Sequence, residues 1–172
     1  MRTRSAARVV GLGTAAALLA GCGSASGISA VSGSPTPTLT LELRLVDSST
    51  DGPCSEPPLT SGAPGSACGE SGTTTYQVGA SLGEVTPTAV TYTGGLSARQ
   101  VFRMEFDDAG RVTLADVTRS AVGKELAILV EGKVLSAAHV IDPITGGQFE
   151  LTTTTPAETE KAAAALHASA TS

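Results

Sequence analysis

The chain has 172 residues, enough for one ordinary domain and too short for two comfortable ones. Aromatic residues are 3% of it and tryptophan is absent, so a core has to be assembled from Leu, Val and Ile. Acidic residues outnumber basic ones 16 to 11, which argues against nucleic acid as a partner and against a basic patch for anionic lipid.

From the N-terminus, Met1 to Arg8 is basic, Val9 to Leu18 is apolar, and Leu19-Ala20-Gly21-Cys22 follows at once. This is the layout of a secretory signal peptide with small residues at its cleavage point. The cysteine behind Leu-Ala-Gly resembles the bacterial lipobox. That resemblance implies that the Cys22 thiol takes a diacylglyceryl group and becomes the new N-terminus. Two acyl chains, at about 0.8 kcal/mol per buried methylene, make such an anchor stable where one is marginal. Gly23 to Pro37 is almost all Gly, Ser, Ala, Thr and Pro, which reads as a tether. The expected layout is a signal peptide over 1–21, lipidated cysteine and tether over 22–37, a folded domain over 38–168 and a tail over 169–172. The expected location is extracytoplasmic, attached to the bacterial cell membrane by the lipid anchor.

Thr38 to Val46 alternates strictly, with Leu39, Leu41, Leu43 and Leu45 on one face, the mark of a half-buried strand. A loop rich in Gly, Pro and Ser follows from Ser48 to Thr73 and carries Cys54 and Cys68. With Cys22 assigned to lipid, these two are the pair left, and outside the cytoplasm such a pair persists as a disulfide. Their Cα atoms are then expected roughly 4.4 to 6.8 Å apart. A metal site would need more ligands, and His139 and His167 lie far along the chain.

Tyr76 to Val78, Thr88 to Thr93 and Arg99 to Phe106 read as further strands, the last two joined by Gly94-Gly95. Asp107-Asp108 opens a helix on which Val112, Ala115, Arg119 and Val122 recur at helical spacing, and Gly123 stops it. Glu125 to Val130 is an apolar strand, Glu131-Gly132 a tight turn, and Lys133 to Val140 the returning strand. Pro143 to Gly147 is a turn and Gln148 to Thr153 a strand. Thr155-Pro156-Ala157-Glu158 is a capping box with Pro at the first helical position, launching a helix to about Ala168. Strands and helices fall in blocks, so the predicted class is α+β: a largely antiparallel sheet with two helices packed on one face. Leu126, Ile128 and Val130 are expected under those helices, with Val112, Ala115, Ala162 and Leu166, and Leu129 on the opposite face. If the helices cover one face only, one of these strand sets forms an exposed apolar strip and marks a partner surface.

Several local patterns then combine. Phe106 and Gly110 make a Phe-x-x-x-Gly helix entry, and Thr118, Gly123 and Lys124 a Thr-x-x-x-x-Gly-Lys step. Gly132-Lys133-Val134, Ser136-Ala137 and Pro143-Ile144-x-Gly146-Gly147 follow, then a Thr-rich strand before a Thr/Glu-capped Ala helix. Together these resemble the head subdomain of the large periplasmic domain of SecD, the Sec export accessory protein. Leu41 to Val46 is similar to that family's first strand, so the resemblance spans about residues 39–167. It implies a ferredoxin-like α+β head and a binding role near exported polypeptides or the Sec translocon. It does not imply a motor, because nothing in the sequence matches the family's membrane helices or the base of its periplasmic domain. Ala138-His139 also stand where the family commonly has a proline after Ser-Ala.

Motifs for chemistry are missing. Gly123-Lys124 lacks the frame of a phosphate loop, since Glu125 follows. The two histidines have no Ser or Asp partners by spacing, and a helix cap accounts for Asp107-Asp108. The reading is therefore non-enzymatic, with no catalytic residue, cofactor, metal or nucleic-acid partner. The alternative is an envelope lipoprotein that reuses the fold for a cell-wall or small-molecule ligand, marked by a large apolar pocket between sheet and helices. A fold hosts many functions, so fold alone does not choose between them.

Overall fold

The computed structural model describes residues 39–93, 100–167 and 169–171. Cys22, the tether and the Gly94-Gly95 turn lie outside the described residues. The alternating leucines form β1 (Leu41–Asp51), the middle strand of a five-stranded sheet. The Pro/Gly loop holds a short strand, β2 (Gly65–Cys68), and leads into a long one, β3 (Thr74–Val85). Next come β4 (Ala89–Thr93), β5 (Gln100–Glu105), α1 (Asp108–Ser120), the hairpin β6 (Glu125–Val130) and β7 (Lys133–His139), and β8 (Gln148–Thr153). The chain closes with α2 (Pro156–Ala165) and β9 (Ser169–Thr171). The residues read as a tail thus add a strand, paired in parallel with β4.

The α+β class holds: two helices and mostly antiparallel strands. The strands divide between two sheets, ordered β2-β3-β1-β6-β7 and β8-β5-β4-β9. One main core joins them, with Leu41, Leu43 and Val85 from the first sheet, Phe102, Met104 and Leu151 from the second, and Leu114, Val117 and Ala162 from the helices.

The helix ends follow their caps. The Asp107 carboxylate accepts from the Gly110 N–H at 2.8 Å and starts α1. At α2 the Thr155 hydroxyl accepts from the Glu158 N–H while the Glu158 carboxylate accepts from the Thr155 N–H, the expected reciprocal box. The face of α1 differs from the expected one. Leu114, Val117, Thr118 and Ala121 are buried, whereas Val112 is 56% exposed and Ala115 is only half-buried. Thr118 hid the true stripe. Its hydroxyl donates to the Leu114 carbonyl at 2.7 Å and accepts from the Ile144 N–H at 2.9 Å, so a polar residue sits fully buried at no hydrogen-bonding loss.

In the hairpin, Leu126 and Val130 enter the main core and Ile128 packs at its margin, half-buried. Leu129 lies on the other face, as alternation requires. That face is not the exposed strip anticipated as a partner surface. Ala127, Leu129 and Val134 form a second, smaller core with Ala67 and Val78, and Leu59 and Tyr76 pack against it. The cover is the disulfide loop. Cys54 and Cys68 are joined, with Cα atoms 5.6 Å apart, and the bridge ties the loop back to β2.

Arg44 pins the same loop. Its side chain is fully buried, donating from Nη1 to the Ala63 carbonyl (2.6 Å) and the Gly79 carbonyl (3.2 Å). Its Nη2 donates to the Glu42 carboxylate (2.7 Å) and to the Ser61 carbonyl. At the hairpin tip Glu131 and Gly132 have φ of 49° and 76°, the two positive values a two-residue primed turn needs. The Leu59 N–H donates to the Gly132 carbonyl at 3.0 Å, and the Leu59 carbonyl occupies the space a Cβ on Gly132 would fill.

Candidate functional site

Splitting the strands into two sheets leaves two edges close together. β7 ends the first sheet and β8 ends the second. Two clefts lie along the line between them, and both are lined by Ser136, Leu151 and Thr152. One, about 350 Å³, runs toward α2 and is bounded by Tyr76, Leu135, Thr154 and Lys161. The other, about 470 Å³, runs toward the end of β7 and is the more apolar, bounded by Ile128, Ala138, Ile144 and Phe149. Ile141 stands at its rim, 78% exposed, the most exposed large apolar side chain of the described residues.

The electrostatics of this line are mostly acidic. Glu70 and Glu158 border the smaller cleft, Asp142 and Glu150 the larger, against Lys161 and the imidazole of His139. Glu150 is shared with Arg103 at 2.9 Å, and the Lys161 ammonium donates to the Ser71 carbonyl at 3.1 Å. Burial raises the Tyr76 hydroxyl pKa above its ordinary value, with the negative charges of Glu125 and Asp51 adding to the effect. Hydrogen bonds from Thr154, backbone first, and from the Thr155 N–H hold the Glu158 carboxyl below the usual carboxylate range. Nothing in this set pairs a nucleophile with a base. Among the described residues no three His, Cys, Asp or Glu gather as a metal site would require.

The motif residues fall into two groups. Gly123, Lys124, Pro143, Ile144, Gly146 and Gly147 belong to the connections around α1. The Gly123 N–H donates to the Val140 carbonyl and the Val140 N–H to the Lys124 carbonyl, each at 2.9 Å, stitching the helix exit to the end of β7. Ile144 is tied to Thr118, and the Gly147 carbonyl accepts from the Phe106 N–H at 3.0 Å while its α-carbon lies against Arg111. These are backbone connections that set where β8 begins. Gly132, Lys133, Ser136 and Ala137 belong to the β6–β7 hairpin, and of all ten residues Ser136 and Ile144 reach the clefts. Leu151 and Ile141 carry no motif, and Thr152 enters the sequence reading only as part of the Thr-rich strand. The alternation of Gln148 to Thr153 shows a strand, but not that it is an edge.

An α+β domain is the class that the sheets, helices and connecting turns define. Residues 78–171, more than half of the chain, match the family model for the P1 head subdomain of SecDF, and the chain belongs to that family. It is 43% identical over 56 residues to the protein translocase subunit SecD of Acidaminococcus fermentans, a stretch that is 33% of this chain and 13% of that protein's length. A solved structure of SecDF, described as a membrane component that enhances protein export, aligns at TM-score 0.48 and 20% identity, covering 75% of this chain and 62% of the other. SecDF in its super-membrane-facing form aligns at TM-score 0.47 and 21% identity over 74% of this chain and 18% of that one. β1, β2 and the disulfide loop precede the matched residues. Among the described residues no helix is long and apolar enough to cross a membrane.

Proposed function

We propose that the chain is a non-enzymatic binding module outside the cytoplasm, held to the membrane by lipid on Cys22, that acts on exported polypeptides beside the Sec translocon. The observation that carries the reading is membership of the SecDF P1 head family over residues 78–171. The N-terminal 21 residues serve as signal peptide, and residues 22–37 as the tether that lets the head stand off the lipid surface. The larger cleft between β7 and β8 supports a binding role, because strand edges and apolar side chains such as Ile128, Ile144 and Phe149 line it.

Photoreactive residues spread over the head surface, followed by irradiation in cells, test the role. Crosslinks to exported precursors or to Sec components are expected. Recovery of neither from a well-expressed protein would sink the proposal. The anchor has its own test: Cys22→Ala should release the protein from the membrane fraction, and a variant that stays bound would remove the lipid from this account.

A further inference from the structure

The two open edges have a definite backbone pattern. The Val140 N–H donates to the Lys124 carbonyl of the β6 side, at 2.9 Å. Residues of an antiparallel strand alternate in the side to which their backbone groups point. With Leu126 opposite Ala138 and Ile128 opposite Ser136 in an unbroken register, Ala138 and Ser136 also face β6, and Ala137 and His139 face away from it. Toward the hairpin tip the edge is already taken. The Glu70 N–H donates to the Val134 carbonyl at 2.8 Å, and Gly69 bridges Val134 in parallel.

β8 follows the same logic. The Phe106 N–H donates to the Gly147 carbonyl, so Phe149, Leu151 and Thr153 face β5 in register with Met104, Phe102 and Gln100. The backbone groups of Glu150 and Thr152 then face out. The larger cleft is thus flanked by unpaired strand edges on both sides, has an apolar floor from Ile128 and Phe149, and has an exposed Ile141 at its rim.

Resting on the export reading above, we infer that this cleft takes up one extended segment of a client polypeptide as an added strand along β7 and β8. Backbone pairing supplies affinity without demanding a sequence, and alternate side chains of the client settle on the apolar floor. Such a mode suits partners that share only an unfolded state. Asp142 at the rim, with Glu70 and Glu158 farther along, favours segments that carry lysine or arginine, while Glu150 is already paired with Arg103. An edge left for a client is also one the protein keeps from self-pairing, and inward or neighbouring charges are a common way to do so.

The probe is a ten-residue peptide of alternating valine and threonine with a lysine at each end, added to the purified protein. Photoreactive residues are placed at Ala138 and Thr152, both exposed at the cleft, and at Val112, exposed on α1. Crosslinking at the first two should exceed that at Val112 at least ten-fold. Amide hydrogen exchange over 137–139 and 150–152 should slow at least ten-fold. The same peptide N-methylated at every second residue keeps its side chains and charges and should lose both effects. Unchanged binding of the methylated peptide, binding without slower exchange at these segments, or no binding at all would each overturn the inference. Capture of exported chains in cells from other positions, with Ala138 and Thr152 silent, would leave the export role standing and still overturn strand addition.

Discussion

The main core and the smaller core behind it are built from different kinds of chain. The main one gathers regular strands and helices, so that losing a side chain there leaves a void among rigid neighbours. The smaller one is closed on its outer side by a loop with little regular structure of its own, held by one disulfide, one buried arginine and a few backbone hydrogen bonds, among them Leu59 to Gly132 at the hairpin tip and Ser81 to Gly62. The lesson is that a sheet can bury both faces without a second layer of helices, provided the covering loop is fastened at discrete points.

The sharpest way to break the comparison is in the main core. Phe102 is fully buried and stacks on Tyr92 at 4.9 Å between ring centroids, so Phe102→Ala should cost about 3–5 kcal/mol. Denaturant unfolding should show one transition moved to much lower concentration. A shift under 1 kcal/mol would mean the two sheets do not share a core.

Next is Arg44. Arg44→Ala leaves three backbone carbonyls and the Glu42 carboxylate without their donor and should cost about 3 kcal/mol. Arg44→Lys should recover little, because one ammonium cannot reproduce a planar fork that reaches four acceptors. Full recovery by lysine would show that charge matters there and geometry does not.

Opening the disulfide comes close behind. A closed loop of this size is worth about 3 kcal/mol in the chain-entropy model. The Cys54→Ser, Cys68→Ser double variant should show faster hydrogen exchange in β2 and residues 56–65, with β5 and β8 little changed. Equal acceleration in both sheets would erase the distinction between the cores.

The smallest expected effect is on α2. Glu158 has a folded-state pKa below its unfolded one, so its contribution is present above the unfolded value and is lost as pH falls through the folded one. Protection of the first turn of α2 should therefore fade below the usual carboxylate range, with the rest of the domain intact. Glu158→Gln should abolish that pH dependence. A first turn that fades identically in the variant would assign the effect to another acid.

The sequence showed most of the main core because its elements carry their own periodicity and punctuation. β6 and β8 have the bounds that apolar runs and turn residues suggest, and the Thr155 box marks α2. The stripe of α1 is hard to read in the sequence because a buried threonine, Thr118, interrupts it. The second core was illegible for a different reason. Ser48 to Thr73 has the composition of a solvated loop, and its seat over the second core depends on contacts with distant positions such as Gly132 and Gly79. Arg44 looked like the outward residue of an alternating strand, and nothing local says that a loop will fold over it. The clefts were hidden likewise, since pairing order decides which strand is an edge, and pairing order is not a local property.

The tip of the β6–β7 hairpin has a consequence for how this sequence can drift. Turns of its kind usually accept asparagine in place of glycine, because asparagine tolerates a positive φ. At position 132 that exchange is closed, since the Leu59 carbonyl stands where any side chain would begin. The glycine answers to two masters, the bend of its own hairpin and a loop more than seventy residues earlier, and a change that satisfies one still fails the other. In a population of variants this position should be frozen, while Glu131 beside it, exposed and only mildly strained, should wander.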